Sequence, residues 1–122
     1  MFKELIHSIV SSIISNHFIL KSVKNKEWAD SYINMLKYML KIYFNEINFM
    51  SSTELEFSTV RLLSLLMLAR IDGKSPVEYL TTEDDKNLVR NMVFEIINKE
   101  VISFETALSL VLEHINQYKA RF

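Results

Sequence analysis

The sequence predicts an all-α fold, a compact bundle of five main helices plus one short helical turn, with a central helix at about residues 52–70. Three observations carry that prediction. Glycine and proline occur once each, as Gly73 and Pro76, whereas a β-sandwich or barrel needs turn residues every ~8–12 positions. Apolar residues make up 49% of the chain, too much apolar surface for a disordered segment to leave in water. These residues recur at the three-four spacing of amphipathic helices. A length of 122 residues suits one core, so residues 1–122 read as a single helical domain.

The first helix, residues 2–21, carries Phe2, Leu5, Ile6, Ile9, Val10, Ile13, Ile14 and Phe18 on one face and Lys3, Ser11, Ser12 and Ser15 on the other. Residues 22–25 read as a loop in which Ser22 or Asn25 caps the next helix. In the second helix, residues 26–48, the stripe Trp28, Tyr32, Met35, Leu36, Met39, Ile42 and Tyr43 is widened by Ala29, Ile33, Leu40, Phe44 and Ile47. The apolar arc then spans about 200°, roughly twice what a helix at the edge of a small domain needs. Such a helix must touch neighbours on two sides, within the chain or beyond it. The third helix opens at a capping box, Ser51-Ser52-Thr53-Glu54. Its second half, Leu62 to Leu68, is apolar all round and is expected to be buried at the centre.

The densest local grammar lies at residues 70–80. Gly73 is placed to end a helix at positive φ, and Ser75, Pro76 and Glu78 stand as N-cap, first helical residue and reciprocal cap of a short helical turn. Thr82 with Asp85 repeats the cap signal for a helix to Asn98, with Leu88, Val89, Met92, Val93, Ile96 and Ile97 inward. Its acidic start, Glu83 to Asp85, suits the helix dipole. Ser103 caps the last helix, whose stripe is Phe104, Ala107, Leu108, Val111, Leu112, Ile115 and Tyr118.

Most chemistries are excluded by absence of their parts. The chain has no cysteine, hence no disulfide framework, thiolate site or cysteine nucleophile. One glycine cannot build a phosphate-binding loop, and Gly73-Lys74-Ser75 reads as cap and turn. Glu4 and His7 have the spacing used in di-iron bundles, but no second copy follows, so no metal and no cofactor are expected. A net charge of −1 gives no electrostatic footprint for nucleic acid, and Lys21, Lys24 and Lys26 read as a solvated loop. Glu4, His7, Asn16 and His17 interrupt the apolar N-terminus, so neither a signal peptide nor a membrane span is expected and the chain reads as soluble and cytoplasmic.

Residues 66–80, with Thr81 and the Arg90-bearing helix, resemble a stretch near the C-terminal end of bacterial small-molecule kinases of the aminoglycoside phosphotransferase and choline kinase type. The resemblance covers residues 57–98 and implies a helical hairpin from the all-helical part of the C-lobe. It carries over no catalytic residue. Such kinases have a catalytic loop with His, Asp and Asn and a later metal-binding Asp, whereas the aspartates here, Asp30, Asp72, Asp84 and Asp85, stand in no such setting.

The favoured expectation is therefore a non-catalytic interaction protein: accessory subunit, inhibitor, antitoxin or adaptor. It would self-associate or bind a protein partner through its apolar helix faces, with Trp28, Ile33, Tyr38, Leu40, Phe44 and Ile47 as candidate interface residues. The alternative is a small enzyme subunit, or a C-lobe-like fragment completing a kinase-like partner, with an apolar ligand pocket between the second and third helices.

Overall fold

The structure is a computed structural model and describes residues 2–47, 53–73 and 76–121. It is an all-α bundle: α1 (Phe2–Lys24), a 3-10 turn (Lys26–Trp28), α2 (Ala29–Ile47), α3 (Thr53–Asp72), α4 (Glu83–Asn98) and α5 (Phe104–Arg121). No strand occurs among the described residues. Ser51, Ser52 and Ser75 of the expected caps lie outside the described residues, as do the side chains of Glu4, Ile47 and Glu54.

The ends of α4 and α5 follow local sequence chemistry. Thr82 Oγ1 accepts from the Asp85 amide at 3.2 Å, and Ser103 Oγ accepts from Thr106 at 3.1 Å, so each hydroxyl satisfies an amide that has no partner in its own helix. A cap from outside the helix is added at α5, where Glu56 of α3 accepts from the Phe104 amide at 2.9 Å. At the end of α4, Val101 N–H donates to Ile96 C=O and Glu100 N–H to Ile97 C=O. This is a Schellman closure, with buried Val101 against buried Ile96. The left-handed position belongs to Glu100, at φ 50°, where glycine would be usual.

Several local expectations shift. The loop expected at residues 22–25 is mostly helix: α1 runs to Lys24, and buried Ser22 donates to Phe18 C=O at 2.8 Å instead of capping. Asn25 does stand at the N-cap position, of the 3-10 turn, but its side chain makes no cap bond and donates back to Lys21 C=O. The short helical turn lies at Lys26–Trp28, not after Pro76, where Glu78 and Tyr79 form only a turn and Glu78 is exposed. Gly73 is not at positive φ. It is needed for a different reason, because a β-carbon there would collide with the Ala69 carbonyl oxygen.

α3 sits between α1 and α4 and also touches α5. Val60, Leu63, Met67 and Ile71 are its buried line. The expectation that Leu62 to Leu68 is buried throughout is corrected: Leu65 is 60% exposed, and Leu62, Leu66 and Leu68 are half-buried. The apolar circumference exceeds what the surrounding helices cover. α4 and α5 bury their expected stripes, with Ile97, Leu112 and Tyr118 half-buried at the edges.

Candidate functional site

Over residues 6–15 α1 is turned opposite to the usual amphipathic rule, whereas further on Ile19, Leu20 and Val23 are buried in the ordinary way. Ser8, Ser11, Ser12, Ser15 and Ser22 face the interior, Ser12 and Ser15 with no exposure, while Ile13 is 53% and Ile6 47% exposed, and Ile9, Val10 and Ile14 are also open. Inside, the hydroxyls find partners on their own helix and on α3. Ser8 Oγ and Thr59 Oγ1 are 2.8 Å apart, Ser12 donates to Thr59 C=O at 3.3 Å, and Ser11 donates to carbonyls of its preceding turn. Ser64 donates to Val60 C=O on the other side of the seam. Small side chains let two backbones approach closely, and hydroxyls that bond within the seam avoid the cost of burying a bare polar group. The exception is Ser15 Oγ, buried without a partner.

The open faces of α1 and α2 are continuous. The two helices run antiparallel, tied by a hydrogen bond between His7 Nδ1 and the Tyr43 hydroxyl near one end and an edge-to-face contact of Phe18 on Tyr32 near the other. At about 100° per residue, Ile6, Val10, Ile13 and Ile14 lie on the solvent side of that seam from α1, Met35, Met39 and Ile42 from α2, and Trp28 from the 3-10 turn before it. All eight are exposed. At their fractional exposures the seven aliphatic and Met side chains together with Ile9 offer on the order of 700 Å² of apolar surface, more than the largest patch of roughly 300–600 Å² on an ordinary monomer.

The six expected interface residues separate into distinct places. Trp28 and Tyr38 are exposed, at 58% and 67%, whereas Ile33, Leu40 and Phe44 are buried in the core and closed to any partner. Ile47 has no described side chain. The 200° arc of α2 thus divides into a core side and an outer side, and the exposed apolar residues Met35, Met39 and Ile42 of the outer side are absent from the expected set.

A second concavity, a groove of about 470 Å³, runs between α2 and the start of α5. Its apolar part is Leu40, Phe44, Phe104 and Leu108, with Phe44 and Phe104 ring centroids 5.6 Å apart. Lys37, Tyr38 and Lys41 border it from α2 and Glu56 and Glu105 from the opposite side, while Lys37 reaches Ser109 Oγ at 2.8 Å. The pocket expected between the second and third helices is therefore an α2–α5 groove to which α3 contributes, among the described residues, Glu56.

The charged groups elsewhere read as struts. Arg90 donates to both Asp72 oxygens, at 3.0 and 2.6 Å, and bonds Asn87 and Glu83. That bidentate pair joins α4 to the end of α3 and holds the Asp72 carboxyl below its ordinary range. Glu95 is lowered by its bond from Lys99, then by His114 at 2.9 Å. Burial raises the Tyr79 phenol, whose ring lies 4.2 Å from Lys21 Nζ. Lys26 pairs with Asp85 and lies over the Tyr118 ring. Two of the three lysines expected in a solvated loop are thus engaged in the fold. No group of three metal-ligating side chains occurs among the described residues, and no described helix is long and apolar enough to cross a membrane.

Comparison of the chain with family models, with curated proteins and with solved structures finds no match.

Proposed function

We propose that the protein is a non-catalytic helical interaction protein, an accessory subunit, inhibitor, antitoxin or adaptor, that works by burying its α1–α2 face against another polypeptide. One observation carries the reading: over residues 6–15, α1 keeps Ser8, Ser11, Ser12 and Ser15 inside and Ile6, Ile9, Val10, Ile13 and Ile14 outside. In an isolated chain these aliphatic side chains stay in water, which forgoes about 25 cal/mol for each Å² of apolar surface left unburied. The observed orientation makes physical sense when a second polypeptide removes that surface from water. The experiment is isolation of the tagged chain from its native source, followed by light scattering. A mass of at least twice the 14.4 kDa of the monomer, reduced to the monomer by Ile13→Glu, is expected. A soluble lone monomer would overturn the reading.

A second reading, a small enzyme subunit or a fragment completing a kinase-like partner, is favoured by the α2–α5 groove, whose volume falls within the range of roughly 300–1,000 Å³ typical of small-molecule sites. Saturable binding of a small ligand that Tyr38→Ala weakens, with assembly unchanged, would favour it.

A further inference from the structure

We infer that the occupant of the α1–α2 face is a second copy of this chain, related by a two-fold axis crossing the helices at right angles, so that two α1–α2 hairpins close into a four-helix interface. This rests on the interaction reading above and names its partner. Three features of the face support it. The first is spacing. Ile6, Val10 and Ile13 stand four and three residues apart, as do Met35, Met39 and Ile42, and all six are exposed. That is the spacing of knobs in a left-handed coiled coil, and two adjacent antiparallel helices carrying it on one side are half of a four-helix bundle.

The second feature is area. The face offers on the order of 700 Å² of apolar surface, close to the ~800 Å² per partner that a stable interface buries. No charged residue interrupts either seam between its ends, as expected of the centre of a homodimer interface.

The third is charge, which selects the axis. The same heptad steps continue α1 through His17 and, past buried Leu20, to Lys24, and α2 to Glu46; Lys24 and Glu46 are both exposed and neither is in an ion pair among the described residues. Because the helices are antiparallel, Lys24 marks one end of the face and Glu46 the other. A two-fold axis across the helices brings the basic end of one copy to Glu46 of the partner subunit, twice. An axis along the helices would set like ends together. This self-complementary placement is what an isologous contact requires, and an unrelated partner would have no need of it.

Sedimentation velocity on the purified chain from about 1 to 100 µM tests the inference. A concentration-dependent dimer is expected, weakened at least ~100-fold by Ile13→Glu with unchanged helical circular dichroism. Lys24→Glu and Glu46→Lys should each weaken it a few-fold, as exposed charges do, and the double variant should return to within about two-fold of the parent. A monomer at every concentration, a dimer indifferent to Ile13→Glu, or a double reversal weaker than either single one overturns the inference. Binding of the apolar dye ANS separates that failure from failure of the underlying reading. A monomer that binds dye, and loses it with Ile13→Glu, ends the two-fold dimer but leaves an open docking face. A monomer that binds none ends both.

Discussion

The inverted orientation of α1 predicts that two neighbouring substitutions act in the opposite sense to their hydropathy. Ser12 is fully buried against Thr59, while Ile13, one residue on, is 53% exposed. Ser12→Leu replaces one oxygen by three carbons, a net gain of two heavy atoms in a closely packed seam, and it removes the bond to the Thr59 carbonyl. Overpacking costs about 1–3 kcal/mol and the lost bond about 1 kcal/mol, so a destabilisation of about 2–4 kcal/mol is expected. Ile13→Ser removes a side chain that is already half in water, and below the association range it should cost less than about 1 kcal/mol. Urea unfolding at sub-micromolar protein reads both, since dilution removes any contribution from assembly. If α1 instead turned its isoleucines inward, the order would reverse. Ser12→Leu with parental stability, together with a loss above about 2 kcal/mol for Ile13→Ser, would refute the packing described for α1 and the face built on it.

Other expectations are local. Glu100→Gly should stabilise by about 1 kcal/mol, since the left-handed position at the end of α4 strains any residue with a β-carbon, and a higher urea midpoint at equal m-value would show it. Gly73→Ala should destabilise by about 1–3 kcal/mol in the same assay through its collision with the Ala69 carbonyl; a parental midpoint would mean the turn relaxes freely. In α3, Leu63→Ala should cost about 2–5 kcal/mol and Leu65→Ala under about 1 kcal/mol, because only the first is buried. Asp72 and Glu95 both titrate below their ordinary values of 3.8 and 4.5, held down by Arg90 and by Lys99 with His114. Their stabilising contribution is therefore complete above the ordinary values and is lost as pH falls through the lower folded-state values. The double variant Asp72→Asn, Glu95→Gln should lose less melting temperature than the parent between about pH 5 and about pH 3, and both slopes should flatten in high salt because the groups are solvent-exposed.

How far the sequence could be read depended on how local the deciding interaction was. Thr82 and Ser103 hold the caps their positions imply, because a cap is settled within three residues of chain. The Schellman closure after Asn98 escaped detection because its left-handed residue is a glutamate. The Gly73 prediction found the right residue with the wrong cause: a helix-ending glycine suggested positive φ, and the structure instead crowds it against a carbonyl one turn back. Among the candidate interface residues, Ile33 and Tyr38 could not be told apart by type. Both are apolar enough to pack, and only their angle on α2 relative to α1, α3 and α5 sends one inward and the other out. Met35, Met39 and Ile42 share their alternating three- and four-residue spacing with the buried line Ile33, Leu36 and Leu40, so spacing alone did not separate the two sides of α2 either.

By itself, the sequence determined that the chain is built of helices, roughly where each begins and ends, and which catalytic chemistries lack their parts. These follow from short-range rules: backbone preferences, caps and apolar period. The tertiary structure alone decided which apolar face is core and which is left open. Serine can be buried when a neighbouring carbonyl or hydroxyl receives its proton, and isoleucine can remain outside, so hydropathy does not fix the roll of a helix about its axis. In α1 the roll that buries Ile19, Leu20 and Val23 also brings Ser8 and Ser12 onto Thr59 of α3, far away in the chain, and it turns Ile6, Ile9, Val10, Ile13 and Ile14 toward the solvent.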